Sequence, residues 1–223
     1  MKVVLISDTH RLHNKVEVPD GDLLIHCGDF TQQGHEREAI EFNDWMGKLP
    51  HKNKVVIAGN HDWCMTRFSF GKFNRFNSVF SRERIAEITS NYTYLCNSGV
   101  KILGLNIWGS PVTPQFGDWA FMVEGEGQLT HQWKAIPDST NILVTHGPER
   151  GIRDKSFRGD LCGCSALRER ISRLPNLRLH TYGHIHEGAG VTEATPENNY
   201  ISANASIVNE LYAVVNKPIV MDL

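Results

Sequence analysis

The chain has 223 residues, 40% of them hydrophobic and 22% charged, with a formal net charge of −2. That composition excludes a disordered or fibrous chain and suits one globular domain spanning residues 1–223. With no basic excess, the summed field argues against duplex nucleic acid as a partner.

The first strand-like run, Met1–Ile6, meets Asp8 almost at once, which leaves no room for the apolar core of a signal peptide. No later stretch has the length of a membrane span, so a cytoplasmic protein without a membrane partner is expected. Cys27, Cys64, Cys96, Cys162 and Cys164 are odd in number and lack paired C-x-x-C spacing, so reduced thiols are expected.

Apolar runs rich in β-branched residues predict strands over 2–7, 22–27, 54–58, 101–107 (part of a hairpin), 141–145 and 177–182. Helical spacing of Ala39, Ile40, Phe42, Trp45 and Met46 predicts a helix over 35–48, and a second covers 165–174, stopped by Pro175. Strand-like pieces return at 200–203 and 219–221. Alternating strands and helices, followed by a strand-rich second half, predict a layered α/β sandwich with two sheets.

Five of these strands end in polar residues: Ser7-Asp8-Thr9-His10, Cys27-Gly28-Asp29, Gly59-Asn60-His61-Asp62, Thr145-His146-Gly147-Pro148 and Gly183-His184-Ile185-His186. Ligands of open α/β sheets bind beyond the carboxyl ends of strands, so the five loops are expected to converge. A lone Asp or His after a strand is more often a turn former. Five such endings in order would make a buried polar cluster that is costly without cations. Gly28, Gly59 and Gly183 are expected where the chain turns sharply or its backbone approaches closely.

Imidazole and carboxylate without thiolate point to Mn(II), Fe, Zn or Co and away from Ca(II). The candidate ligands are Asp8, His10, Asp29, Asn60, His146, His184 and His186, enough for two ions sharing a carboxylate. Asp8 and Asp29 return two of the four positive charges, and the remainder suits an anionic phosphate ester.

These five blocks resemble the signature of the calcineurin-like metallophosphoesterases, spanning residues 8–186. Ser7–His13, Thr145–Pro148, Gly163-Cys164 and the ending Lys217–Leu223 are similar to its small metallophosphoesterase-domain-containing branch. The resemblance implies the four-layer α-β-β-α sandwich of two mixed sheets. It implies one ion at Asp8, His10, Asp29 and His186, a second at Asp29, Asn60, His146 and His184, with Asp29 as the bridge and Mn(II) the expected metal. It further implies in-line attack on phosphorus by metal-activated water, with His61 protonating the leaving alkoxide, Asp62 orienting His61, and Asn60 and His61 touching substrate. The expected substrate is a small, nucleotide-like phosphate ester, cyclic nucleotides included, cleaved as a phosphodiester. A catalytically silent metal-binding scaffold and a nuclease on short single strands are the competing functions, and a homodimer stays open.

Departures from the family pattern are Asp62, where relatives often carry Glu, and Glu149 after Gly147-Pro148, expected to alter substrate preference. Residues 63–84 mix Phe68, Phe70, Phe73, Phe76 and Phe80 with Arg67, Lys72, Arg75, Arg82 and Arg84. They read either as a substrate lid or, preferably, as a packed connection. Residues 149–160 carry Arg150, Arg153, Lys155 and Arg158 and are expected to frame a pocket or a dimer contact. His26 and His180 are expected to be sheet histidines, His13 a neighbour of the site, and Cys162-Gly163-Cys164 a turn before the helix at 165.

Overall fold

A computed structural model describes residues 1–66, 81–196 and 198–223. The main strands are, in chain order, β1 (Lys2–Ile6), β2 (Leu23–His26), β3 (Asn53–Ile57), β4 (Thr93–Leu95), β5 (Ser98–Ile102), β6 (Leu105–Ser110), β7 (Thr113–Pro114), β8 (Met122–Val123), β9 (Ile142–Thr145), β10 (Leu179–Tyr182), β11 (Gly190–Thr192), β12 (Ile201–Asn204) and β13 (Ile219–Asp222). The helices are α1 (Glu36–Lys48), α2 (Arg82–Ile88), α3 (Glu126–Trp133) and α4 (Ser165–Ile171).

One sheet has the order β13-β1-β2-β3-β4 and the other β11-β12-β10-β9-β6-β5. Both are mixed: β13 joins β1 antiparallel, and β11 and β5 join the second sheet antiparallel. The interior strands β1, β2 and β9 and the second half of β3 read as short apolar runs because they are buried on both faces, whereas β10, equally buried, is Leu179-His180-Thr181-Tyr182. Val3, Leu5, Leu23, Ile25, Val55 and Ile57 meet Ile107, Ile142, Val144 and Leu179 between the sheets. Val4, Ile6, Leu24 and Val56 pack against Ala39, Phe42, Met46, Ile85 and Ile88 of α1 and α2. On the far side, Leu143 packs with Leu129 and Trp133 of α3 and Leu167 and Ile171 of α4. The layers are therefore α-β-β-α, as expected.

The run at 101–107 contains the hairpin turn itself, Leu103 (φ 50°) and Gly104 (φ 86°) lying between β5 and β6. The helix expected over 165–174 ends at Ile171, where Arg173 and Leu174 turn ahead of Pro175. Residues 67–80 of the suggested lid lie outside the described residues. Trp63, Cys64 and Met65 before them are buried in the core beside α1. Arg84 after them pairs with Glu36 and Glu87 rather than facing a ligand. Among the described residues no helix is long and apolar enough to cross a membrane.

Candidate metal centre

The carboxyl ends of β1, β2, β3, β9 and β10 bring all seven candidate ligands and His61 together. Asp8, His10 and His186 form one group, Asp29, His146 and His184 another, and His10, Asp29 and His61 a third; ligand atoms lie within 4.8 Å of one another in each. Asp29 is common to two of them. Its Oδ2 lies 3.3 Å from His146 Nε2 and 3.8 Å from His10 Nε2. Asn60 Oδ1 is 2.9 Å from His146 Nε2, and His186 Nε2 is 3.7 Å from Asp8 Oδ1.

The loops hold this arrangement on strained backbone. Asp8, His10, Asp29 and His184 have φ of 55°, 39°, 56° and 68°, a left-handed region that costs roughly 1–3 kcal/mol per residue and persists where surroundings over-determine it. Gly28 has φ 98°. Gly59 and Gly183 are needed for a different reason: a Cβ would lie 2.2 Å from Asp29 Oδ1 at the first and 2.1 Å from Asp8 Oδ2 at the second. Main-chain N–H groups aim both carboxylates, that of His61 donating to Asp29 at 2.7 Å and that of His184 to Asp8 at 3.1 Å.

Four imidazoles are oriented alike. Nδ1 donates to a main-chain carbonyl in His10 (Thr31), His61 (Gln32), His146 (Cys27) and His186 (Asn209). In the neutral ring this leaves Nε2 as the lone-pair nitrogen, the tautomer that binds metal. His10 Nε2 is buried without a hydrogen-bond partner. An orphaned buried nitrogen beside two buried carboxylates fits a divalent cation, and the donor set fits two borderline ions.

Charge tells the same story. Burial alone would raise Asp8, but the hydrogen bond and charge of His186, then His146, hold it well below the usual carboxylate range. Burial is likewise overcome at Asp29 by His146, His61 and His10. Burial would lower His146, yet Asp29 and Asp8 push it up to about 9. Burial lowers His10 to about 4 and, with His146 adding to it, His184 to about 3. In the metal-free chain a proton on His146 therefore stands where cationic charge is wanted.

The pattern of the calcineurin-like phosphoesterases matches residues 1–188. The chain belongs to that family. It is 39% identical to metallophosphoesterase domain-containing protein 1 of Homo sapiens over 233 residues, covering 100% of this chain and 71% of the human protein. It is 38% identical to a UPF0046 protein of Caenorhabditis elegans, covering 99% of this chain and 74% of that one. The solved structure of TT1561 of Thermus thermophilus shares the fold, with TM-score 0.56 at 11% identity, over 91% of this chain and 88% of that one. As a calcineurin-like phosphoesterase the chain is a metal-dependent hydrolase of phosphate esters, of a family generally dependent on a metal pair.

Within this phosphoesterase one sequence expectation is corrected. Asp62 does not orient the His61 ring. Its Oδ2 accepts from the N–H groups of Asp29 (2.9 Å) and Gly59 (2.7 Å), and its Oδ1 from the N–H and hydroxyl of Thr31 (2.9 and 2.7 Å). With its short side chain satisfied there, Asp62 braces two loops, and the carbonyl of Gln32 orients His61. Burial, then the charge of Asp29, raises Asp62 to about 7, against the pull of the Gly59 and Thr31 donors.

Glu149, expected to bear on substrate preference, is held inside the fold. It is fully buried, accepting from Arg168 (2.7 Å) and from the Tyr200 hydroxyl (2.7 and 2.8 Å), and lies 3.1 Å from His180 Nδ1. His180 Nε2 in turn meets the Thr145 hydroxyl at 2.8 Å. The network ties the His146 loop to β10 and α4. His26 plays a matching part in the first sheet: its Nδ1 accepts from the N–H of Gly28, so Nε2 donates to the Thr9 hydroxyl at 3.0 Å. Arg153 of the 149–160 loop is spent on carbonyls of Gly188, Ala189 and Val191. Cys164 caps α4, accepting from the N–H of Leu167. His13 packs against Trp45 and Phe42.

Three aromatic residues escaped the sequence reading. Trp119 stacks on His61 at 4.5 Å and 25°. Phe116 lies 5.2 Å from the ring of His184, and Tyr212 4.7 Å from that of His10. None belongs to a ligand block or a periodic run, so the sequence carried no signal for them.

Proposed function

We propose that this centre hydrolyses small phosphodiesters of nucleotide-like chemistry, cyclic nucleotides included, using two divalent ions of which Mn(II) is the first to try. The observation that carries the reading is the position of Asp29, shared between two groups of imidazoles with His61 alongside. Bound there, the ions would supply Lewis acidity toward the phosphoryl oxygens and lower the pKa of water. Asp8, His10, Asp29 and His186 would hold one, and Asp29, Asn60, His146 and His184 the other.

The remaining chemistry belongs to the chain's own side chains. With Nδ1 donating to the Gln32 carbonyl, Nε2 is the nitrogen through which a protonated His61 ring would pass its second proton to the departing alkoxide. Trp119 fixes the plane of that ring. Asn60 and His61 would touch the phosphate, and the main-chain N–H groups of His61 and His184 keep the two carboxylates from rotating away.

The test is hydrolysis of a 4-nitrophenyl diester beside the matching monoester by chelator-stripped protein re-supplied with Mn(II). Metal-dependent turnover that favours the diester supports the reading. Stoichiometric metal binding with no turnover by any ion would make the chain a metal-binding scaffold instead.

A further inference from the structure

The ligands form a row. The overlapping groups run from His186 and Asp8 through His10 and Asp29 to His146 and His184. Each end of that row is bordered by an aromatic side chain from a segment that contributes no ligand. At the His184 end is Phe116, on the connection between β7 and β8, its ring 5.2 Å away and 57% exposed. At the other end is Tyr212, 4.7 Å from His10 and 5.3 Å from His186, and 38% exposed.

Among the described residues neither position is explained by packing alone. A phenylalanine more than half exposed gains little from burial, and fixing one against a polar centre has no folding rationale. Tyr212 sits at φ 58°, a strained setting for an aromatic residue. Its loop is rigid: Asn209 Oδ1 accepts from the N–H groups of Leu211 and Ala213, and the Asn209 carbonyl accepts from His186 Nδ1. The Phe116 connection is likewise anchored, the N–H of Ala120 donating to the carbonyl of ligand Asn60 at 3.1 Å. Both rings are thus indexed to metal ligands.

We propose that Phe116 is the stacking surface for a planar ring on the retained side of the phosphodiester, with Tyr212 walling the leaving-group side. The proposal rests on the hydrolytic reading and assigns the ends of its substrate. His61 must lie beside the departing oxygen, and it sits on the His10 side of the centre, ring centroids 4.6 Å apart, with Trp119 stacked on it at 4.5 Å and Tyr212 beyond at 6.2 Å. The substituent that stays on phosphorus then extends toward His184 and Phe116. The favoured substrate class is a 5′-nucleotidyl ester whose base lies on Phe116. Hydrolysis adds water across one P–O bond: hydroxide joins phosphorus, the alkoxide leaves with a proton, and the 5′-nucleotide is released.

The experiment compares thymidine 5′-(4-nitrophenyl phosphate) with methyl 4-nitrophenyl phosphate, which share a leaving group and differ only in the retained substituent. Equilibrium binding of thymidine 5′-phosphate and of methyl phosphate to Mn(II)-loaded protein is measured in parallel. The expected result is a preference for the nucleotidyl partner of roughly tenfold or more in both kcat/KM and affinity, the size of one base–aromatic stack. Phe116→Ala should collapse that ratio and Phe116→Trp should restore it. Equal affinity of the wild-type protein for the two phosphates, or a ratio unchanged by Phe116→Ala, would overturn the assignment. Failure of the hydrolytic reading shows separately, as absence of turnover of both esters, while the binding ratio still decides the role of Phe116.

Discussion

His61 has one ring nitrogen committed to a carbonyl and one face covered by Trp119, so a proton can be exchanged with a ligand only at Nε2. A general acid matters in proportion to the basicity of the group it protonates. His61→Ala should therefore slow esters with alkoxide leaving groups by roughly 10²–10⁴-fold and those with nitrophenolate far less. A uniform loss across leaving groups would remove His61 from that role. Asp62→Asn should behave differently, because Asp62 accepts four hydrogen bonds within the loops and none of them from the His61 ring. An amide in its place turns one acceptor oxygen into a donor facing N–H groups. The expected result is a stability loss of about 1–3 kcal/mol in urea unfolding, with the leaving-group dependence of wild type retained. A leaving-group profile like that of His61→Ala would instead restore Asp62 as the partner of the acid.

At the scale of elements, the five strands that carry the site and their ends were legible because each carries its own signal, while the short β4, β7, β8 and β11 were not. A parallel strand buried on both faces is a short apolar run, and its ligands follow within a few residues, as at Ile57 to His61. The two-sheet sandwich follows from those runs. What the sequence could not show is assembled across elements. Glu149 meets His180 on β10, Arg168 on α4 and Tyr200 before β12, three partners 31, 19 and 51 residues away. The rim aromatics have no periodicity to betray them, and α3 was missed because its polar residues outnumber Leu129 and Trp133. Because Glu149 binds the His146 loop to these elements, Glu149→Gln should loosen a metal ligand from a distance. The variant is expected to lose about 1–3 kcal/mol of stability, since a buried charge-assisted network is broken while half-exposed Arg168 finds water. Metal content after dialysis should fall with it. Unchanged metal retention would confine the network to folding.

For the molecule as a whole, metal loading and pH act on the same protons. Burial holds His26 at about 3 and His13 at about 4, and His10 and His184 are lowered similarly. The unfolded chain protonates these rings from 6.5 downward while the folded chain resists, so stability falls as pH drops from 6.5 toward 3. Asp62, raised to about 7, works in the opposite sense over part of that window, against these four and against His51, which burial also lowers. On the alkaline side the metal-free chain depends on His146, held at about 9 by Asp29 and Asp8 against the effect of burial. That contribution is complete below 6.5 and is lost as pH rises through 9. His186, raised by Asp8, adds in the same direction. Stripped protein should consequently melt highest near pH 6.5 and lose stability on both sides. A bound cation takes the place of the His146 proton, so the loaded protein should lack the alkaline limb, and its apparent affinity for Mn(II) should climb with pH until about 9. Calorimetric melting of stripped and loaded protein from about pH 5 to about pH 10 at fixed ionic strength checks both curves. If the stripped protein were as stable at pH 9 as at 6.5, the buried proton on His146 would not exist, and the charge between Asp29 and Asp8 would have to be balanced in another way.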